Sequence, residues 1–291
     1  MSTASLTVQR LARDEVQRWL PQLDAWLLPD ALYGVQHTWP QLYRRDGDGA
    51  FFGVFDGDRL VSHCASRIVT LRTPQGRRQA NLIGSVATDP HARGRGHAGQ
   101  ALAAALAAAA DRVDLALLWA ERAELYRRAG FVAGPAERAL VLARRPRRDV
   151  DGVRLAAVAD YGALAALHAQ KPVGVDRSPA TMSTLLSTPG MTTVVLERAG
   201  RPIAYACTGK GADLQGHWHE LGGDDAALAT LLPAAMHLTG QLDAVLLLPP
   251  YRPQLAELLG GAVRDELVLH GPMVCAASPM PALWIDGLDS V

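Results

Sequence analysis

The amino-acid sequence predicts an α/β chain of the α+β kind, made of two successive domains that are each a mixed, mostly antiparallel sheet flanked by helices. Three observations carry that expectation. At 291 residues the chain exceeds one typical domain of roughly 100–200 residues. Residues 142–152, LARRPRRDVDG, combine a charge run with Pro146 and Gly152, the composition of a linker. The stretches on either side of it repeat one order of elements. The domains are therefore expected at 1–145 and 151–278, with 279–291 as a C-terminal tail.

In the first stretch a short strand near Leu6–Val8 precedes helical segments rich in Leu and Trp, from Asp14 to about Tyr43. The runs FFGVF and RLVSHCASRIVTL flank Asp56-Gly57-Asp58, and Asp-Gly between apolar runs signals a hairpin. A turn at Pro74–Gly76 leads to the strand QANLIGSVA. An Ala-rich helix from about Gly96 to Arg112 follows, then the strand LALLWA, a short helix around Leu125–Arg128 and one strand from Phe131 to Leu142.

The second stretch gives VRLAAV as a strand, helices near Asp160–His168 and Ser178–Leu186, and the strands TTVVLE and PIAYACT around Ala199-Gly200. Ser178 and Pro179 suit the N-cap and first-turn positions of their helix. HWHELGG is the next strand, Asp225–Leu238 a helix, AVLLL a strand, Gln254–Leu259 a helix, and VRDELVLHG the last strand.

Composition limits the function. With 49% hydrophobic and 20% charged residues each half can bury a core of its own. Basic and acidic residues balance at 29 each, so no global field draws nucleic acid or an anionic membrane, and an anion site has to be local. Cys64, Cys207 and Cys275 are odd in number and lack a C-x-x-C pair, which argues against a disulfide framework or a zinc site and fits a reducing cytoplasm. The first residues lack the apolar core of a signal peptide, and no run approaches 18 apolar residues.

The sharpest local signal is VATDPHARGRGHAGQAL, residues 86–102, where an apolar strand passes through a polar turn into a strong helix former. A helix N-terminus offers unpaired N–H groups and a positive dipole end, which together can hold phosphate. Gly94 and Gly96 let the backbone come close, and Arg93 and Arg95 add guanidinium groups suited to bidentate phosphate contacts. The same residues alone are also compatible with a Gly-rich turn carrying two solvated arginines. The third glycine of a dinucleotide fingerprint and the Gly-Lys-Ser/Thr of a P-loop are both missing.

Arg93-Gly94-Arg95-Gly96-His97-Ala98 resembles the R/Q-x-x-G-x-G/A signature of the GNAT (GCN5-related N-acetyltransferase) superfamily, directly after a strand. The resemblance implies acetyl-CoA as co-substrate, with its diphosphate on this loop and its pantetheine arm paired along a bulged strand at Val86, Ala87 and Thr88. A second family element follows in LLWAERAELYRRAGF, residues 117–131, and implies that Tyr126 lies near the coenzyme sulfur as general acid. A tyrosine of ordinary pKa near 10 is protonated at neutral pH, as an acid must be. The expected chemistry is direct attack of a primary amine, of a small molecule or a protein, on the thioester, without a covalent enzyme intermediate. Glu121 is the best placed candidate base, while Glu124 is expected to face solvent. His63 is left open, since strand alternation alone does not decide whether it faces cleft or core.

The second-half counterpart of the loop is Leu221-Gly222-Gly223-Asp224-Asp225, with aspartates where arginines are wanted. Carboxylates there satisfy the helix dipole and repel a diphosphate. Counting back from Gly260 as from Gly130, the Tyr126 position falls on Ala256, so the second copy is expected to bind no coenzyme A. The WAERAELYRRAGF segment also looks like the enhanced intracellular survival aminoglycoside acetyltransferases; those carry a further sterol-carrier-like domain for which this chain is too short, so their substrates are not carried over.

Other features are read more plainly. His217-Trp218-His219 supplies two histidines on one strand face without a third ligand, and no metal is expected. Trp19, Trp26 and Trp39 suit either core packing or a pocket wall. Arg144, Arg145, Arg147 and Arg148 read as a solvated linker rather than a nucleic-acid site. Two competing functions stay open: a catalytically idle acyl-CoA-binding sensor whose second domain recruits a partner, and an aminoacyl-tRNA-dependent transferase, which needs a basic groove that the neutral composition lacks.

Overall fold

The computed structural model describes residues 6–145, 150–211, 213–277 and 283–291. Its elements run in the order β1 (Leu6–Leu11), α1 (Arg13–Leu27), α2 (Val35–Thr38), α3 (Pro40–Tyr43), β2 (Ala50–Asp56), β3 (Arg59–Thr73), β4 (Gly76–Thr88), α4 (His97–Ala107), β5 (Leu115–Leu118), α5 (Ala123–Arg128), β6 (Val132–Ala133) and β7 (Glu137–Ala143). There follow β8 (Val153–Leu155), α6 (Tyr161–Ala169), β9 (Gly174–Val175), α7 (Pro179–Leu186), β10 (Thr192–Arg198), β11 (Arg201–Thr208), β12 (His217–Gly223), α8 (Asp225–Leu238), β13 (Asp243–Leu248), α9 (Pro253–Leu259), β14 (Val263–Leu269) and β15 (Met273–Ala276).

Two mixed sheets form the two halves. One has the order β1-β2-β3-β4-β5-β15-β6, with β9 added to β3; the other has the order β14-β7-β13-β12-β11-β10-β8. Neighbours are antiparallel except for β4 with β5 and β12 with β13, the two pairs joined by a crossover helix. The Asp56–Asp58 segment closes the expected hairpin, with Gly57 in the left-handed region that such a turn requires.

The connection between the halves differs from the expected boundary at 145–151. The single strand expected from Phe131 to Leu142 is two strands: β6 stays in the first sheet, whereas β7 pairs with β13 and β14 of the second. In return β15, which follows the strand expected to be last, inserts between β5 and β6 of the first sheet. Each half thus lends one strand to the other, at the equivalent place in both sheets. An apolar run specifies a strand but not its partner, because the ladder bonds are made by backbone common to all residues. Of the linker, Arg144 and Arg145 are exposed, while residues 146–149 lie outside the described ones.

Residues 279–282 of the expected C-terminal tail, with Ser278 before them, also lie outside the described ones, and the remainder of the tail is built into the body of the molecule. Leu283 to Asp289 are buried. Lys210 Nζ donates to the carbonyls of Gly287, Leu288 and Ser290 at 3.0, 3.0 and 2.9 Å. Lys171 donates to Asp286 at 2.8 Å and Arg177 Nε to Asp289 at 3.0 Å.

Separate cores sit on the two sheets. In the first, α4 places Ala101, Leu102 and Ala105 against Phe52, Val54, Val61 and Cys64 of β2 and β3. Alanine on the inward face lets the helix lie close to the sheet, and burying Leu102 contributes on the order of 1.5–3 kcal/mol. In the second, α8 presents Leu228, Leu231, Leu232 and Ala235 to Val194, Ala206 and Trp218.

Candidate functional site

The site is built on an irregularity in β4. The β3–β4 register runs His63 to Ala87 and then Ala65 to Gly84, so β4 carries one residue more than its partner, a bulge. Ser85 sits there with φ of 51°, a conformation that disfavours a side chain and persists where the surroundings impose it. His63 is one such restraint: it is fully buried, packs beside Tyr43 and Phe51, and its Nδ1 lies 3.0 Å from the Ser85 carbonyl. Burial lowers its pKa to about 4, so the ring is neutral and Nδ1 donates to that carbonyl. His63 therefore faces the core and holds the bulge. Ser62 Oγ donates to the Ala87 carbonyl at 2.8 Å from the same strand.

On its other side β4 pairs with β5 only from Ala80 to Leu82. The strands then part, and the β4 edge from Ile83 to Thr88, with Val86, Ala87 and Thr88, has no strand neighbour on that side among the described residues. A backbone edge of this kind accepts an extended ligand as an added strand.

Beyond Thr88 the Asp89 side chain accepts from His91 N at 2.8 Å and closes a short 3₁₀ turn. Gly94 and Gly96 both have positive φ, 78° and 83°, and Gly96 is the N-cap of α4 without any side chain to occupy its first amides. A Cβ built at either glycine meets nothing within 4 Å, so the approach is open. Arg93 and Arg95 are exposed beside it, Ala98 lies partly covered in the first turn, and His97 is buried with Nδ1 lacking a hydrogen-bond partner. Free amides, a dipole end and two guanidinium groups suit a diphosphate.

Tyr126 lies on α5, half-buried, its ring edge-on to Phe131 at 6.2 Å. Burial, with a smaller contribution from Cys64 nearby, pushes its pKa up to about 12, so the hydroxyl keeps its proton at neutral pH. Glu121 and Glu124 are both exposed. Neither lines the cavity of about 360 Å³ between the two halves; Trp39, Trp119, Trp284, Glu137 and Asp213 do. Val291 lines it too, and its carbonyl group occupies the space above Gly84, which ties the cavity to the parted edge of β4. Burial raises Glu137 to about pKa 7, against a hydrogen bond from Trp119 that lowers it.

Glu137 was not legible as a site residue. It opens β7, and only the exchange of that strand into the second sheet carries it to the cavity wall. Trp39 is on that wall, whereas Trp19 and Trp26 pack into the core beneath α1, Trp19 edge-on to Phe55 at 5.7 Å.

In the second half Asp224 caps α8 by accepting from Ala227 N at 2.7 Å, and Asp225 pairs with Arg252. Gly222 lies under the Tyr205 ring, 2.0 Å from where a Cβ would stand. Beyond the short β12–β13 pairing at His217 and Trp218, β12 carries the buried Glu220, whose carboxylate accepts from Lys171 at 3.1 Å, Tyr205 at 2.8 Å and both terminal Arg177 nitrogens at 2.8 Å. Burial alone would raise Glu220; the charges of Arg177 and Lys171 outweigh it and hold the carboxyl well below its ordinary value. His168, Glu220 and Asp286 have ligand atoms near one another, yet the cations already among them give the chemistry of an internal ion-pair network. Of the two strand histidines, His219 is buried against Gly287 and His217 is at the surface beside the cavity.

Comparison with known proteins agrees with this geometry. The family model of the GNAT acetyltransferase domain matches residues 7–134. Among solved structures, a probable N-acyltransferase of Enterococcus faecalis is similar at a TM-score of 0.73 and 15% identity, covering 93% of this chain and 72% of its own. A GCN5-related N-acetyltransferase of Kribbella flavida is similar at 0.68 and 18%, covering 94% and 71%. Eis1 of Mycobacterium abscessus is similar at 0.63 and 19%, covering 94% and 74%. No curated protein matches by sequence. Among the described residues no helix is long and apolar enough to cross a membrane.

Proposed function

We propose that this protein, whose residues 7–134 match the model of the GNAT acetyltransferase domain, transfers an acetyl group from acetyl-CoA to a primary amine by direct attack, and that it works in the cytoplasm. The observation that carries the reading is the open junction from Arg93 to Ala98 at the end of a strand whose edge, Val86 to Thr88, is free. The diphosphate of coenzyme A lies on the amides of α4 with Arg93 and Arg95, and the pantetheine arm runs along that edge. Amide groups at the parting of β4 and β5 stabilise the oxyanion, and Tyr126 gives its proton to the leaving sulfur. Only one coenzyme binds per chain, because the second copy of the fold has closed its junction with Asp224, Asp225 and the ring of Tyr205.

Calorimetric titration with acetyl-CoA tests this directly. A single site per chain, lost in Gly94→Glu with the fold intact by circular dichroism, is the expected result. No binding at all defeats the reading, and two sites defeat its account of the second half.

A further inference from the structure

We infer that the acceptor is a small arylalkylamine, held in the cavity between Trp39, Trp119 and Trp284, and that Glu137 is the catalytic residue that takes the proton from its ammonium group. The inference rests on the acetyltransferase reading and names the substrate class of that same site.

Four of the cavity's wall residues come from separated parts of the chain: Trp39 from between α2 and α3, Trp119 from the end of β5, Trp284 from the C-terminal segment and Glu137 from the exchanged strand β7. Its volume of about 360 Å³ is at the low end for small-molecule pockets. Three indoles around so small a space favour a ring, since aromatic pairs contribute about 0.5–1.5 kcal/mol beyond the area they bury. They also favour a cation at its polar end. The acidic side chains on the lining are Glu137 and Asp213, with His217 and His270 beside them. A cationic amine is matched by that set. The nearest basic side chain in sequence, Arg138, is turned to Glu266 in an exposed pair.

The proton balance follows. The acceptor arrives as an ammonium ion and loses one proton to the Glu137 carboxylate, which passes it to solvent. The freed lone pair forms the C–N bond, the C–S bond breaks with its electrons on sulfur, and Tyr126 protonates the thiolate. The second proton leaving nitrogen restores the Tyr126 hydroxyl. A base with pKa about 7 is half ionised at neutral pH, the condition under which proton acceptance and turnover are both served.

The test uses the full chain with 2-phenylethylamine as acceptor, beside spermidine, kanamycin and a lysine peptide. The expected result is the highest kcat/KM for 2-phenylethylamine, by about tenfold or more, and an acidic limb near pH 7 in its profile. In Glu137→Gln that limb disappears and kcat falls about 10²-fold, the scale of a lost general base, while acetyl-CoA affinity is unchanged. Trp39→Leu raises KM for the aryl amine about tenfold without moving acetyl-CoA affinity, which keeps the inference testable if the glutamine variant folds poorly. Preference for a polycation or peptide, or persistence of the limb in Glu137→Gln, overturns the inference while leaving the acetyltransferase reading in place. Failure of the wild type to bind acetyl-CoA overturns both.

Discussion

The two strand-to-helix junctions of this protein occupy equivalent places in equivalent sheets and are built for opposite ends. At β4–α4 the helix begins on Gly96, the amides of its first turn are uncapped, and the strand edge behind it is bare. At β12–α8 the helix begins on Asp224, which caps it, while Tyr205 covers Gly222 and the nearby Glu220 is held in buried ion pairs. The comparison teaches that a helix start in this architecture stays open to an anion only where the chain leaves its amides unsatisfied, and is closed where the chain satisfies them itself. The second junction has in turn become a fixed support: its network reaches Asp286 and Asp289 and so holds the C-terminal segment that lines the cavity.

Several experiments break or sharpen this contrast. The largest effect is expected from Gly94→Glu, which puts a carboxylate where we propose that the diphosphate lies; like charges at a binding surface cost several kcal/mol, so acetyl-CoA affinity drops by about 1,000-fold or more in calorimetry. Unchanged affinity would move the phosphate site elsewhere. Next comes Glu220→Gln, which leaves Lys171 and Arg177 short of a buried counter-charge and costs about 3–5 kcal/mol in denaturant unfolding. A cost below 1 kcal/mol would mean that the second junction is not a structural support.

The same carboxylate predicts a pH dependence. Its folded pKa is depressed, so its stabilisation is present above the ordinary glutamate value of about 4.3 and is lost as pH falls toward the folded one. Melting temperature measured from pH 7 downward is expected to fall more steeply below about pH 4.3 in the wild type than in Glu220→Gln; parallel curves would refute it. Tyr126→Phe is expected to lower kcat about 10²-fold with KM for acetyl-CoA unaltered, as for removal of a general acid. Turnover equal to wild type removes Tyr126 from the mechanism. The smallest effect is that of Asp224→Ala, about 1 kcal/mol from loss of the α8 cap, with still only one coenzyme bound. Appearance of a second site would show that the cap alone keeps the second half silent.

Much of this was legible in the sequence wherever neighbours along the chain carry the information. The Asp56–Asp58 hairpin, the capped start at Ser178, the helix Asp225–Leu238 and the glycines at 94 and 96 each follow from steric and hydrogen-bonding rules that act over a few residues. The bulge before the phosphate loop was implied by family resemblance, and the register shift at Ser85 bears it out. Glu121 drew notice because it lies between the β5 strand and the Tyr126 helix; it is exposed and is not among the residues that line the cavity.

By itself, then, the sequence determined two α/β halves, an open glycine junction in the first and an acid-capped one in the second, because periodicity, turn chemistry and charge at a helix end are local. Only the tertiary structure decided that β7 and β15 trade sheets, that His63 faces inward to hold a strained carbonyl, and that Glu137 and Trp284 meet Trp39 and Trp119 across one cavity. Backbone pairing is indifferent to side-chain identity, and contacts between segments distant along the chain leave no periodic trace in either segment that makes them.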